Sequence, residues 1–184
     1  MKKLLSTLML SSTLSLSSPA SAEPVEPGSL TLSGTVFEQV ASTHQLDSLL
    51  LYSLAIVESA TGAGNGNIRP YPYVLRTADG AFFYKTRIEA EHALSAILRQ
   101  TSNVDVGMMQ INLYYHPQTD PLSLLDPQTN LVVAAKYLKK TMASTPDPVL
   151  GVGRYHNWGD HQRAVWYGNR VWQVYRNLAQ LKIN

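Results

Sequence analysis

The chain has 184 residues, no cysteine and 15% charged residues. Without cysteine it cannot contain a disulfide framework, a cysteine-ligated zinc site, an iron–sulfur cluster or a thiol nucleophile. Lys2 and Lys3 account for the net charge of +2, because the other basic residues equal the acidic ones in number. The chain therefore lacks the basic excess that is typical of nucleic-acid-binding proteins, and we expect no nucleic-acid partner.

The N-terminal segment has the pattern of an export signal. Two lysines begin it, residues 4–16 are moderately apolar, and residues 20–22 (Ala-Ser-Ala) match a signal-peptide cleavage site. A membrane anchor is the alternative, but the apolar run is shorter than the roughly 18–20 residues that a span requires. We therefore predict a signal peptide at residues 1–22, no stable membrane span and a periplasmic mature protein. A flexible leader is expected at residues 23–34, which contain two prolines and two glycines.

Residues 35–184 are predicted to form one mainly helical domain. Capping residues and apolar spacing place helices at about residues 35–44, 47–59, 86–100, 126–142, 148–155 and 160–181. The second of these helices is apolar on nearly every side, so it should be buried.

One β element is expected among the helices. Residues 71–84 are rich in aromatic side chains and contain a turn of sequence Ala-Asp-Gly at residues 78–80, which predicts a β-hairpin. The glycine-rich residues 61–70 and residues 104–112 are predicted to be loops. Together these elements indicate a mainly α domain of the α+β kind.

Glu58 is the catalytic candidate that the helix pattern singles out. Leu51, Leu54 and Ala55 share its helix face, so its carboxyl group ends an apolar stripe and is partly desolvated. Desolvation raises the pKa of a carboxyl group, and the negative end of the helix dipole acts in the same direction. A carboxylic acid that is still protonated near neutral pH can serve as a general acid. The alternative is an acid that simply turns to solvent at the helix end.

A family resemblance depends on Glu58 and on motifs that follow it. Glu58 and Ser59 end a buried helix, and residues 107–112 (Gly-Met-Met-Gln-Ile-Asn) come later in the chain. This combination resembles the signature of the soluble lytic transglycosylase (SLT) domain family. Residues 130–138, 151–156 and 167–175 resemble three further motifs of the family, in the family's order.

A narrower resemblance concerns residues 104–112 and the aromatic insert at residues 71–84. Both look like segments of the small transglycosylases that are encoded with conjugative transfer and type IV secretion systems. The sequence departs from the family at His156, which stands where asparagine is usual, and at Ala134, which replaces a common glycine.

The resemblance implies a lysozyme-like fold with a small β-hairpin and a cleft. It also implies cleavage of the bond between N-acetylmuramic acid and N-acetylglucosamine in peptidoglycan. In this family the glutamate, here Glu58, acts alone as acid and then as base, and the muramic C6 hydroxyl closes on C1 to leave a 1,6-anhydro end. The implied partners are peptidoglycan glycan strands and a conjugation or type IV secretion complex.

Substrate-binding roles are predicted for several residues near these motifs. The amides of Gln110 and Asn112 suit N-acetyl and hydroxyl groups, although they can instead cap the loop backbone. Tyr155 resembles the tyrosine that hydrogen-bonds the catalytic glutamate. The remaining expectations concern Ser59 as a hydrogen-bonding group, Met109 as a contact or core residue, Gly107 as a point of close approach, and the aromatic insert, with Tyr73, as a stacking wall.

Two other functions stay open at this point. Asp105 matches the second carboxylate of animal-type lysozymes, which would make the protein a retaining hydrolase; alternatively, Asp105 braces its loop. A non-catalytic peptidoglycan-binding subunit is the second alternative, although such a module has no use for a desolvated acid. No cofactor is predicted, and no metal site either, because His156, Asp160 and His161 are a weak metal signature.

Overall fold

The computed structural model describes residues 30–64 and 67–181, so the predicted signal peptide and most of the leader lie outside the described residues. Within this part the chain forms six α-helices: α1 (Val36–His44), α2 (Ser48–Ser59), α3 (Arg87–Leu98), α4 (Pro127–Ala143), α5 (Pro148–Gly153) and α6 (His161–Leu181). A short 3-10 helix, Pro121–Leu125, precedes α4. The prediction of a mainly helical domain with a small β element is confirmed.

Side-chain caps set the beginnings of the helices. Asp47 accepts hydrogen bonds from the backbone amides of Leu49 and Leu50, at 2.7 and 3.3 Å, where α2 begins. Thr86 and Glu89 form a reciprocal capping box at the beginning of α3. Each cap satisfies amides that no helical carbonyl can reach. For this reason all the predicted helices are present, with ends that differ by about two residues at most.

The strands form two antiparallel sheets. In the first, β1 (Thr61–Gly64) pairs with β2 (Asn67–Arg69); in the second, β3 (Val74–Thr77), β4 (Gly80–Phe83), β5 (Asp105–Val106) and β6 (Ile111–Asn112) lie in the order β4-β3-β5-β6. The β3–β4 hairpin is the predicted one. The predicted loops at residues 61–70 and 104–112 are wrong in part, because they contain the other four strands. Strands of two to four residues are too short to show an alternating pattern in the sequence.

Helix α2 lies at the centre of the domain. Leu51, Leu54 and Ala55 are fully buried, as its apolar composition predicts. Helix α6 packs along α2 and also against α5, while α1 and α4 cover other parts of the core. No helix among residues 30–64 and 67–181 combines the length and the apolar character that crossing a membrane would demand.

The backbones of α5 and α6 meet at two glycines. A Cβ atom at Gly153 would collide with the carbonyl group of Ala164, and one at Gly168 would collide with the carbonyl group of Val149. Glycine at both positions therefore allows the two helices to touch backbone to backbone. This contact determines where Tyr167, the neighbour of Gly168, lies relative to α2.

Candidate active site

A cavity of about 840 Å³ lies between the helices and the second sheet. We call its α2 and α6 side the helical wall, which includes Glu58 and Tyr167. The opposite side, which we call the sheet wall, is formed by β3, β5, β6 and the turn between β5 and β6. It includes Asp105, Gln110 and Asn112. The structure thus brings together four of the predicted site residues, Glu58, Asp105, Gln110 and Asn112, in one cavity, and Tyr155 also lines it.

Glu58 lies in the last turn of α2 and faces this cavity. Its side chain keeps a partly exposed edge, while protein atoms surround the carboxyl group. The pKa of Glu58 is raised to about 7: burial raises it most, the hydrogen bond from Tyr167 lowers it, and the charge of Asp105 raises it. The charges of Arg76 and Arg170 lower it by smaller amounts. Glu58 is therefore partly protonated at neutral pH and can donate a proton.

Tyr167 positions the carboxyl group of Glu58. Its buried hydroxyl group donates a short hydrogen bond to Oε1 of Glu58. The imidazole ring of His156 stacks on the Tyr167 ring, with 4.5 Å between the ring centroids and an angle of 7° between the planes. Contact on one face by His156 and burial of the rest restrict the ring, so the hydroxyl group is directed at a single acceptor.

Tyr155 does not make the hydrogen bond that the sequence comparison assigned to it. Its hydroxyl group donates to the backbone carbonyl of Met109 at 2.8 Å. Burial raises its pKa well above the usual value for tyrosine, so this donor stays protonated. Tyr167 takes this place because the docking of α6 on α2 brings it against Glu58 and leaves Tyr155 beside the turn of the sheet wall.

Asp105 and Asn112 are directly opposite each other on β5 and β6. Nδ2 of Asn112 donates to Oδ1 of Asp105 at 2.8 Å and to Oδ1 of Asn103 at 2.9 Å. Oδ1 of the Asn112 side chain accepts hydrogen bonds from the backbone amides of Tyr114 and Tyr115. Burial raises the pKa of Asp105, and the hydrogen bond from Asn112 partly offsets this effect. Both side chains face the cavity, but the polar atoms of Asn112 are already engaged within the protein.

Gln110 bridges the turn of the sheet wall to β3. Its Nε2 donates to the carbonyl oxygen of Gly107 at 2.9 Å, and its Oε1 accepts from Nε of Arg76 at 3.3 Å. Its φ of 48° lies in the left-handed region, which costs free energy for a residue with a side chain. The predicted amide therefore lies at the cavity, in a backbone conformation that the surrounding turn imposes.

The turn that carries Gln110 is held from behind by Asn130, a buried residue of α4. Its Nδ2 donates to the carbonyl oxygen of Val106 at 2.9 Å, and its Oδ1 accepts the amide of Met109 at 2.8 Å. Gly107 has a φ of 77°, and a Cβ there would lie 2.5 Å from Nδ2 of Asn130. Gly107 is thus required by close approach to Asn130, which corrects the expectation that it faces the substrate.

Three predicted substrate contacts lie away from the cavity lining. Met109 is fully buried in the core. Ser59 is buried as well; its Oγ donates to the carbonyl oxygen of Ala55 and accepts the amide of Tyr71, both at 3.1 Å. Tyr73 packs edge-to-face on Tyr71, with 6.4 Å between the ring centroids. These residues fix the end of α2 and the base of the β3–β4 insert, so the insert does not form the cavity's aromatic wall.

The cavity's exposed aromatic side chains come from other segments. Trp158 follows α5 and is 49% exposed, Trp166 in α6 is 63% exposed, and Tyr115 follows β6 and is 72% exposed. Large exposed aromatic faces are suited to stacking on sugar rings. They cannot be recognised from the sequence, because no local sequence pattern distinguishes an exposed tryptophan from one in the core.

The described residues contain no group of three or more histidine, aspartate or glutamate side chains arranged to hold a metal ion.

A lysozyme-like helical domain with a partly protonated carboxylic acid in its cleft has the architecture of enzymes that cleave glycans. Comparison with known families agrees: residues 35–178 match the model described as Transglycosylase SLT domain. The match covers most of the chain, so the protein belongs to this family of lytic transglycosylases, which act on peptidoglycan. Searches among curated proteins and among solved structures found no match.

Proposed function

We propose that the protein cleaves the β-1,4 bond from N-acetylmuramic acid to N-acetylglucosamine and leaves a 1,6-anhydromuramic end. The observation that carries this proposal is the state of Glu58, a cavity carboxyl group whose pKa is raised to about 7. Near neutral pH such a group can donate a proton in one step and accept one in the next. One residue can then serve both halves of a reaction that consumes no water.

The proposed reaction needs a single titrating side chain. The Glu58 carboxyl group donates its proton to the glycosidic oxygen, and the bond between C1 of muramic acid and that oxygen breaks. The C6 hydroxyl oxygen of the same muramic acid bonds to C1, and its proton passes to the Glu58 carboxylate. Glu58 returns to its starting state, and the hydrogen bond from Tyr167 keeps the carboxyl group oriented through both transfers.

Asp105 gives a second candidate function some support. It lines the same cavity, and its charge contributes to the raised pKa of Glu58. A retaining hydrolase would use it as a nucleophile, which must be ionised. Its own pKa is raised by burial, and its Oδ1 accepts from Asn112, so it is better suited to bracing β5 against β6. We therefore favour the transglycosylase.

The cellular role that we propose is local opening of the cell wall in the periplasm for a conjugation or type IV secretion apparatus. Its support comes from the sequence alone: the export-signal pattern of residues 1–22, and the likeness of residues 71–84 and 104–112 to transglycosylases of such systems.

Product analysis tests the proposed chemistry. Purified peptidoglycan digested with the protein should give muropeptides that end in 1,6-anhydromuramic acid, each one water lighter than the corresponding hydrolysis product. Mass spectrometry distinguishes the two directly. Products with reducing ends would identify a hydrolase instead, and an absence of cleavage by the folded protein would favour the binding subunit.

A further inference from the structure

Three cationic side chains line the cavity beside Glu58 and Asp105: Arg76, Lys140 and Arg170. The ion pairs found within residues 30–64 and 67–181 are Arg87 with Glu91 and Arg163 with Asp160. The three cavity cations therefore have no ion-pair partner in the part of the chain that the structure describes. With Glu58 partly protonated, the cavity has a positive excess, whereas the basic and acidic residues of the chain after Lys3 are equal in number.

The two arginines reach the cavity from different elements. Arg76 is an exposed residue of β3, and its Nε donates to Gln110 at 3.3 Å. Arg170 is an exposed residue of α6, one turn after Trp166, and its guanidinium group lies 5.9 Å from the centroid of that indole ring. In the described residues the remaining guanidinium N–H groups of both arginines have no protein acceptor. They are planar donor sets of the kind that binds carboxylates.

The positive charges of Arg76 and Arg170 oppose the proposed reaction. Their charges lower the pKa of Glu58, which reduces the fraction that can donate a proton. The transition state of glycoside cleavage has oxocarbenium character, so nearby positive charge disfavours it as well. An anion bound beside the arginines would offset both effects. Within the described residues the acids lining this cavity are Glu58 and Asp105, and of these Asp105 already interacts with the charge of Arg76, which lowers its pKa.

We propose that Arg76 and Arg170 form a carboxylate-binding subsite beside Glu58, so that the enzyme takes carboxylate-bearing glycan in preference to uncharged glycan. This inference rests on the proposed function, since it names the substrate class of the same site. Peptidoglycan offers the carboxylate in two forms. It is the lactyl group of muramic acid where the stem peptide has been removed, and it belongs to the stem peptide where the peptide remains.

A bound carboxylate would also act on the catalytic acid. Its single negative charge would offset part of the positive charge of the two arginines, which lowers the pKa of Glu58, and so favour the protonated, proton-donating form. Substrate charge would thereby adjust the acid at the moment of binding, whereas an uncharged glycan of equal length would leave Glu58 more ionised.

The test measures binding in a Glu58→Gln background, where the ligand is not consumed. Titration calorimetry uses three ligands of equal length: an N-acetylglucosamine oligomer, peptide-free muramyl glycan and peptide-bearing muramyl glycan. Arg76→Gln and Arg170→Gln should each weaken binding of carboxylate-bearing glycan about fivefold, the scale of one partly exposed ion pair, and leave the neutral oligomer unchanged. Arg176→Gln, an exposed arginine of the same helix α6, is the matched control and should change neither.

The outcomes separate the possibilities. A loss confined to peptide-free glycan assigns the lactyl carboxylate, and a loss confined to peptide-bearing glycan assigns the stem peptide; both support the subsite. Equal losses for all three ligands, or no loss for any, would overturn it. Arg76→Lys and Arg170→Lys retain the charge and should keep the preference, which guards against misfolding. Product formation by the wild-type enzyme is scored separately, so the subsite and the proposed reaction can fail independently.

Discussion

The helical wall and the sheet wall of the cavity hold their polar groups in different ways. On the helical wall, Glu58 has one hydrogen-bond donor, Tyr167, and burial dominates its pKa. On the sheet wall, the side chains form a hydrogen-bonded network. Asn112 donates to Asp105 and accepts a backbone amide, and Gln110 donates to a carbonyl oxygen of the turn. A group with a single partner can exchange a proton without disturbing its neighbours, whereas a network fixes shape. We therefore propose that the helical wall transfers protons and that the sheet wall places the substrate.

The largest effect should come from replacing Glu58, the titrating residue of the helical wall. Glu58→Gln preserves the shape and the acceptor for Tyr167 but cannot titrate, so turnover of purified peptidoglycan should fall at least about a hundredfold. Glu91→Gln is the control, since Glu91 lies on α3 in an exposed pair with Arg87 and should leave the rate unchanged. A folded Glu58→Gln protein with a near-normal rate would contradict the assignment of Glu58.

The same substitution should stabilise the fold at alkaline pH. The pKa of Glu58 is about 7 in the folded state, whereas the ordinary pKa of a glutamate is 4.5, so the folded state binds more protons between these pH values. The free energy of unfolding therefore falls as pH rises from about 4.5 to 7, and it remains at this lower value above pH 7. Urea unfolding should find Glu58→Gln more stable than wild type by about 2 kcal/mol at pH 8, with a smaller difference at pH 5. A difference that does not grow with pH would show that Glu58 is not desolvated.

A smaller effect should follow from loss of the orienting hydroxyl group. Tyr167→Phe removes a hydrogen bond that lowers the pKa of Glu58, so the fall of kcat/KM at alkaline pH should move to higher pH. Because the carboxyl group also loses its orientation, kcat should fall about tenfold. Tyr155→Phe, which removes only a bond to the Met109 carbonyl, should leave the pH profile in place. The same shift in both variants would argue against a specific role for Tyr167.

The smallest effect should appear on the sheet wall. Asp105→Asn keeps an oxygen that can accept from Asn112, so activity should stay within about threefold of wild type, with anhydro products. Because the charge of Asp105 raises the pKa of Glu58, the alkaline limb of kcat/KM should move slightly to lower pH. An inactive Asp105→Asn enzyme, together with reducing-end products from wild type, would show that Asp105 on the sheet wall takes part in the reaction. The protein would then be a retaining hydrolase.

The two walls also differ in how far the sequence predicts them. The helices follow from local signals, such as the Asp47 cap and the box of Thr86 and Glu89, because each acts within one turn. Glu58 follows for the same reason, since the apolar residues that desolvate it lie on its own helix. The sheet wall is not predictable as a sheet because β5 and β6 are two residues each and form only by pairing of β5 with β3 and of β6 with β5, which no local pattern records.

The sequence does not predict which side chains form hydrogen bonds with one another in the site. Tyr155 and Tyr167 both lie in segments that resemble family motifs, yet it is Tyr167 that reaches Glu58, because the hydroxyl group that arrives there depends on how α6 docks on α2 and α5. The buried Asn130, which holds the turn through Val106 and Met109, is likewise defined by contacts more than 20 residues away. Local periodicity identifies buried faces, whereas these partners depend on tertiary approach.

The contact of α5 and α6 at Gly153 and Gly168 has a consequence for how this enzyme can change. Replacing a helical glycine by alanine is a common route to a more stable protein. Here the added methyl group would meet backbone carbonyl groups, which have no alternative rotamer, so the helices would separate and carry Tyr167 away from Glu58. In a comprehensive substitution library, these two positions should tolerate no other residue, although neither lines the cavity. The acid is thus tied to two residues whose contribution is the absence of a side chain.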